Sequence, residues 1–218
     1  IEPDLNALTY SGSVEIDIVA DAGTKQVEVN VLDLTITGAT LNGIPVRMTS
    51  DAKRERVAVA APKPLKGKAT LGFKFTGAIS EKMRGFYRSR YVLADGTNRF
   101  MGTTQFEATS ARRAFPCFDE PALKATFEGT ILVPKGRMAV SNMPVASDTA
   151  AGEKRRVTFQ PTPVMSTYLL MFSVGEFEHI EGKTKSGVPV RVYTTPGRSA
   201  LGTFALETAV RGLDWFDA

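Results

Sequence analysis

Apolar and polar residues alternate with a period of two along most of this chain. Val14, Ile16 and Ile18 fall on one side of an early segment, and Glu15 and Asp17 fall on the other. Successive side chains of a β-strand point to opposite faces, so this alternation predicts half-buried strands. It predicts about ten strands, among them 13–20, 56–60, 70–76, 87–93, 99–107, 126–133, 157–160, 168–174 and 190–194.

Turn signals separate these segments and indicate how the strands connect. Asn42-Gly43, between Leu41 and Ile44, is typical of a tight β-hairpin. Nearby, the alternation changes parity between Val31 and the following residues, which predicts a bulge within one strand. The chain shows neither βαβ alternation nor an internal repeat. We therefore predict an all-β fold, an antiparallel β-sandwich or a saddle-like open sheet.

The last segment has a helical pattern instead. We predict a helix over 199–216, in which residues three or four apart form one apolar face: Leu206, Ala209, Val210, Leu213 and Phe216. Phe204 and Trp215 widen this face. Two interpretations remain open, a helix whose partner surface lies outside this chain and a helix packed back on the sandwich.

Composition and charge exclude several classes of protein. The 218 residues are 43% hydrophobic and 23% charged, which is typical of a globular protein and excludes intrinsic disorder. The net charge of +4 is scattered, and its densest group, Lys154 to Arg156, fits a solvated surface better than a nucleic-acid site. No apolar stretch approaches the roughly 20 residues of a membrane helix. One His and one Cys exclude an internal disulfide and make a zinc site within the chain improbable.

Few side chains suggest chemistry on their own. We interpret His179 as a surface or a hydrogen-bonded structural histidine, and Cys117 as a packed thiol. We interpret Asp119-Glu120 as structural, bound to turn amides or paired with Arg112 or Arg113. Gln105 and Glu107 stand out because they share one side of a predicted strand end. An amide beside a carboxylate can bind a primary ammonium through charge-assisted hydrogen bonds. By pattern alone, the ordinary polarity of a sheet edge explains them more simply.

The segment from Thr104 to Phe127 changes this balance. It reads TQFEATSARRAFPCFDEPALKATF and closely resembles the signature of the aminopeptidase N-like family of zinc metallopeptidases. Four later pieces are also similar to that family: STYLL at 166–170, FSVG at 172–175, VRVY at 190–193 and PG at 196–197. The resemblance implies that residues 1–196 are the N-terminal β domain of an aminopeptidase and that residues 197–218 start its catalytic domain.

The family's G-x-M-E-N and H-E-x-x-H motifs do not occur in this sequence. The resemblance implies that zinc belongs to the full-length enzyme and is bound outside this chain, which is expected to be a piece of a longer protein. We expect no catalytic residue and no metal ligand here, and we expect the chain alone to be inactive. A non-catalytic β-sandwich interaction module, or part of an inactive family member, remains the alternative.

The resemblance also assigns roles to the strand end. Glu107 is expected to bind the free α-amine of the substrate, Gln105 to line the pocket for its first side chain, and Arg112–Pro121 to support both. The expected partners are the N-terminus of a peptide substrate and the absent catalytic domain, with neither nucleic acid nor membrane. We expect a soluble chain, in the cytoplasm or in the periplasm or secreted.

Overall fold

The computed structural model describes residues 1–217, which consist mostly of antiparallel strands. The strands are β1 (Glu2–Asp4), β2 (Thr9–Asn30), β3 (Leu34–Leu41), β4 (Ile44–Pro45), β5 (Met48–Asp51), β6 (Arg56–Ala78), β7 (Gly85–Val92), β8 (Asn98–Gln105), β9 (Thr130–Pro134), β10 (Met138–Ser141), β11 (Val145–Ala151), β12 (Lys154–Phe159), β13 (Phe172–Gly175), β14 (Glu178–Lys183) and β15 (Pro189–Thr194). The helical elements are 3-10 helices at Ala111–Arg113, Thr167–Leu169 and Ser199–Gly202, and α1 (Thr203–Phe216). This confirms the predicted all-β fold with a C-terminal helix. No helix among residues 1–217 is long and apolar enough to cross a membrane.

The strands form four sheets. The largest has the order β1-β2-β6-β3-β4, with β5 also paired to β6. A second sheet has the order β10-β13-β8-β7, a third has the order β11-β12-β9, and β14 and β15 form a separate hairpin. The second sheet carries the strand end at Gln105, so the candidate site lies on it.

The largest sheet curls into a half-barrel because two very long strands bend. Strands β2 and β6 have 22 and 23 residues, against a usual length of about 5–6. Their pairing register shifts on either side of Thr24, and such bulges bend a strand. Val57 from one half of β6 and Leu71 from the other belong to the same buried cluster. The predicted strands 56–60 and 70–76 are therefore two parts of one strand.

The parity change near Val31 has a different cause from the predicted one. Strand β2 ends at Asn30, β3 begins at Leu34, and Asp33 between them has a φ of 57°, in the left-handed region. The prediction of a bulge within one strand was wrong. Strands β2 and β3 pair with opposite edges of β6, so the chain passes from one side of β6 to the other between them. The side chains that face the core therefore follow a new alternation in β3. The Asn42-Gly43 hairpin is confirmed, with positive φ at both residues and Leu41 paired with Ile44.

Aromatic side chains fill the core between the sheets and fix the end of β8. Phe106 is 2% exposed. Its ring meets Phe115 edge-on at 5.8 Å and Phe172 at 6.5 Å between centroids. Edge-to-face pairs of this kind add to the stabilisation that comes from burying the rings. The backbone that follows Gln105 therefore starts from a fixed position.

A buried ion pair holds the loop that follows. Arg112 Nε donates to Asp119 Oδ2 at 2.9 Å, and the Arg112 amide donates to the same oxygen at 3.2 Å. The side chains of Arg112 and Asp119 are 11% and 1% exposed. Burial raises the pKa of the Asp119 carboxyl, and the hydrogen bonds from Arg112 offset only part of this effect. Glu55 accepts a further hydrogen bond from Arg112 Nη1 at 2.9 Å.

Asn30, at the end of β2, joins this loop to the largest sheet. Its backbone exchanges two hydrogen bonds with Cys117, of 2.8 and 3.2 Å. Its side-chain Oδ1 accepts from the amide of Asp119 at 3.1 Å. Tyr10 on the same strand donates its hydroxyl to the carbonyl of Arg113 at 2.9 Å. Residues distant in sequence thus fix both ends of the segment from Arg112 to Asp119.

Helix α1 uses only part of its apolar face. Leu206 and Val210 pack over Gly182 of β14, where a Cβ atom would lie 3.4 and 3.5 Å from them. Other large apolar side chains of this segment remain exposed by 73–79%: Leu201, Phe204, Trp215 and Phe216. The helix therefore lies against the β14–β15 hairpin and leaves much of its apolar surface uncovered. Ala218, the last residue of the predicted segment 197–218, lies outside the described residues.

We expect α1 to open more readily than the sheets in the isolated chain. None of its described residues is buried, so local unfolding exposes little additional apolar surface. Native-state hydrogen exchange should show its amides opening at a free energy well below that of global unfolding. The amides of Leu71 and Phe73 in β6 are the internal control, because both side chains are buried. Equal protection in α1 and β6 would contradict this expectation.

We expect Asp119→Ala to destabilise the chain far more than Glu120→Ala. Removing Asp119 leaves the largely buried Arg112 side chain with Glu55 as its remaining ion-pair partner, a loss of up to about 3 kcal/mol. The Glu120 side chain is 56% exposed and pairs with Arg56 at the surface, so its loss should change the free energy of unfolding by less than about 1 kcal/mol. Urea unfolding of both variants measures the difference.

The stabilities of the same two variants should also depend differently on pH. The folded chain binds the Asp119 proton more tightly than the unfolded chain, because the folded pKa is raised from 3.8. The contribution of Asp119 protonation to the free energy of unfolding is therefore fully present below pH 3.8. It is lost as the pH rises through the raised pKa of the folded chain. Asp119→Ala should remove this contribution, and Glu120→Ala should keep it. Equal losses of stability would contradict the anchoring role of Asp119, and identical pH profiles would contradict the raised pKa of its carboxyl.

Candidate substrate-binding edge

Gln105 and Glu107 flank a buried aromatic residue at the end of β8. Both are exposed, whereas Phe106 between them is buried. The strand ends at Gln105, two residues earlier than the predicted end at Glu107. The peptide bond from Glu107 to Ala108 is cis. We call the three residues Gln105 to Glu107 the binding edge.

The Glu107 carboxyl group has no partner among the described residues. Among the described residues, no ion pair or side-chain hydrogen bond engages Glu107. The same holds for the Gln105 side chain, although the Gln105 backbone pairs with Gly85 of β7. An exposed carboxylate and an amide are therefore both available to a ligand.

The backbone around the binding edge is firmly held. Phe106 is locked between two aromatic rings, and its carbonyl accepts from the amide of Ser110 at 2.8 Å. The 3-10 helix that follows is held by Arg112 and Asp119. A carboxylate on such a backbone can accept charge-assisted hydrogen bonds at a defined place.

The other candidate groups are separate from the binding edge. Asp119 pairs with Arg112, one of the predicted options, whereas Glu120 pairs with Arg56 from β6 at 3.3 Å. Cys117 is a packed thiol as predicted, and burial raises its pKa well above the ordinary value. His179 is exposed on β14, with its ring 5.1 Å from that of Tyr193.

The described residues do not fit a metal site. Within residues 1–217, no group of three or more His, Cys, Asp or Glu side chains lies close enough together to hold an ion. Zinc ligands in proteins are drawn from these residue types and number three or four. We therefore assign no chemical step of this chain to a metal.

Two grooves of the chain do not include the binding edge. A groove of about 1360 Å³ is lined by the curled sheet, with Ser13, Glu15 and Lys74 among its lining residues. A smaller groove of about 700 Å³ lies beside β1. Neither Gln105 nor Glu107 lines them. The binding edge is thus exposed and belongs to neither groove.

Two of the anchoring residues were not found from the sequence. Asn30 looks like any polar residue that ends a strand, and Tyr10 like any aromatic residue of a strand. Their partners Asp119 and Arg113 are 89 and 103 residues away along the chain. Local periodicity carries no signal for such contacts. The only sequence signal near Asn30 is the change in the apolar alternation after Val31, which marks the end of the strand.

Comparison with known proteins agrees with the fold and the signature segment. Residues 1–169 match the Peptidase M1 N-terminal domain. The chain is 41% identical over 226 residues to the puromycin-sensitive aminopeptidase of Caenorhabditis elegans, covering 100% of the chain and 24% of the relative. It is 42% identical over 220 residues to aminopeptidase M1-B of Oryza sativa subsp. japonica, covering 99% and 25%. It is 38% identical over 224 residues to the alanine/arginine aminopeptidase of Saccharomyces cerevisiae, covering 100% and 26%.

The chain thus spans about a quarter of the length of these relatives. The matched N-terminal domain covers the curled sheet, the binding edge and the loop held by Arg112 and Asp119. The resemblance predicted from the signature segment is confirmed, and this chain belongs to the M1 peptidase family, to the N-terminal domain of its members.

Proposed function

We propose that this chain is the N-terminal domain of a zinc aminopeptidase, which removes N-terminal amino acids from peptides. Relatives that match the whole chain are named aminopeptidases, and this supports the proposal. In this proposal residues 1–196 form the β domain and residues 197–218 start the catalytic domain. Zinc is bound by residues beyond this chain, because the described residues do not fit a zinc site.

We propose that Glu107 binds the free α-amine of the substrate. The observation that carries this role is its exposed carboxylate, which has no ion-pair partner among the described residues and lies on a firmly held backbone. An exopeptidase has to recognise a charged N-terminus and measure one residue from it. A fixed carboxylate does both, because an internal peptide bond offers no ammonium group for it to bind.

Gln105 has a related role in the proposal. It precedes the buried Phe106 by one residue, as Glu107 follows it by one, so both side chains are exposed at the same strand end. A ligand whose ammonium group lies at Glu107 brings its first side chain within reach of the Gln105 amide. We propose that Gln105 lines the pocket for that side chain, together with residues of the catalytic domain.

In the full-length enzyme, we expect Glu107→Ala to lower kcat/KM strongly. Losing one partner of a desolvated charge pair costs roughly 2–5 kcal/mol, or about 30-fold to several-thousand-fold in kcat/KM. The measurement compares a peptide that has a free α-amine with the same peptide acetylated there. Wild type should strongly prefer the free amine, and Glu107→Ala should lose most of that preference.

Glu120→Ala is the matched control, because Glu120 is also an exposed glutamate and pairs only with Arg56 among the described residues. It should keep both kcat/KM and the preference for the free amine. A Glu107→Ala enzyme with near-wild-type kcat/KM and full discrimination would refute the amine-binding role. The alternative, a non-catalytic interaction module, predicts no turnover by the full-length wild type.

We expect the 218-residue chain alone to bind no stoichiometric zinc and to hydrolyse no amino-acid anilide. It has one His, and its described carboxylates and Cys117 form no cluster that could hold an ion. Metal analysis after dialysis, with an anilide assay of the same sample, measures both properties. One equivalent of tightly bound zinc with chelator-sensitive activity would contradict this expectation.

A further inference from the structure

A methionine, Met171, directly precedes the strand that pairs with β8 beside the binding edge. Strand β13 runs antiparallel to β8, with Ser173 opposite Thr103. Continuing that register by two residues places Met171 opposite Gln105.

The two strands remain together between these positions. Thr104 Oγ1 accepts a hydrogen bond from the amide of Phe172 at 3.1 Å. Phe172 and Phe106 both point into the core, where their rings meet at 6.5 Å. Gln105 directly precedes Phe106, and Met171 directly precedes Phe172. Both side chains therefore point to the opposite side, away from the core.

Cross-strand contacts further along confirm that this outward face is shared. Thr103 Oγ1 and Ser173 Oγ lie 2.6 Å apart, so their side chains project from the same face. Side chains two residues further along each strand lie on that face again. Continued beyond the last paired residues, this alternation places Met171 and Gln105 in the next row, directly before Glu107.

Met171 is both exposed and fixed through its backbone. Its residue surface is 37% exposed. Its amide donates to Asn142 Oδ1 at 2.7 Å, and its carbonyl accepts from Ser141 Oγ at 2.7 Å. On the other side of Gln105, the residue opposite is Gly85, which has no side chain. Met171 directly precedes β13, so it is the apolar residue that the continued register places beside Gln105.

From this arrangement we infer that Met171 is a specificity-determining residue, which lines the pocket for the substrate's first side chain beside Gln105. The inference rests on the proposed function, because it uses the assignment of that pocket to Gln105. The flexible thioether side chain offers apolar contact to a long first side chain such as Leu or Phe. A first residue of alanine is too short to use this contact fully.

The first experiment measures substrate ratios in the full-length enzyme. Met171→Ala should lower kcat/KM for leucine-first and phenylalanine-first substrates relative to alanine-first ones by roughly 5- to 30-fold, since it removes apolar contact from a side-chain pocket. The ratio of two substrates on one preparation does not depend on the folded fraction. A partly unfolded variant therefore still gives a valid result.

Introducing opposite charges at Met171 tests whether its side chain contacts the substrate. A purely structural residue would not change the preference between arginine-first and alanine-first substrates according to the sign of the charge. Met171→Lys should disfavour arginine-first substrates relative to alanine-first ones by at least about threefold, and Met171→Glu should favour them by a similar factor. The same two substitutions at Ile44, which is 64% exposed on β4 of another sheet, are the matched control. They change the net charge equally and should leave the ratios unchanged.

The outcomes separate this inference from the proposed function. Unchanged ratios in all Met171 variants, with an altered profile in Gln105→Ala, would overturn the role of Met171 and leave the proposed function intact. Full discrimination against acetylated substrates in Glu107→Ala would instead refute the amine-binding role. The Met171 ratios come from free-amine substrates alone, so opposite shifts in the Lys and Glu variants would still support its place in the pocket.

Discussion

The position of the binding edge depends on the buried ion pair between Arg112 and Asp119. One Asp119 carboxylate oxygen accepts hydrogen bonds from both the guanidinium group and the backbone amide of Arg112. It therefore fixes the side chain and the backbone of Arg112 together. Burial raises the pKa of Asp119, which means that the charged form is disfavoured relative to water even beside Arg112. Buried pairs are therefore weak evidence of net stabilisation. We attribute to this pair mainly the conformation of the loop, which follows the binding edge directly.

Asn30 extends that constraint from the loop to the sheet. It bonds to Cys117 through its backbone and to Asp119 through its side chain, so the loop is attached where β2 ends. The aromatic contacts of Phe106 fix the opposite end of the loop. Under the proposed function this rigidity matters, because errors of about 1 Å in placing a charged partner weaken catalysis strongly. The exposed Glu107 therefore lies on a backbone that the buried contacts of Phe106, Asn30 and Asp119 hold in place.

The sequence predicted local structure well and distant contacts poorly. The Asn42-Gly43 hairpin and the C-terminal helix follow from turn chemistry and periodicity, which act within a few residues. The continuity of β6 was missed because Pro62 and Pro64 interrupt its apolar pattern, and proline normally argues against a strand interior. The exposure of Gln105 and Glu107 was predictable from alternation around Phe106, whereas the contact of Asn30 with Asp119 spans 89 residues and was not. The roles of the two exposed residues came from resemblance and are still predictions.

The exposure of the binding edge has a consequence for specificity. Gln105 is exposed and lines neither of the two grooves described above, so under the proposed function its side-chain pocket is enclosed when a second surface faces it. The β-sheet can then fix where the amine lies, while the geometry between the two surfaces sets the distance to the reacting bond. Residues that line the exposed face, such as Met171, adjust the fit without touching the reacting atoms. Selectivity for the first residue can therefore change through the sheet while the chemistry of the other surface stays the same.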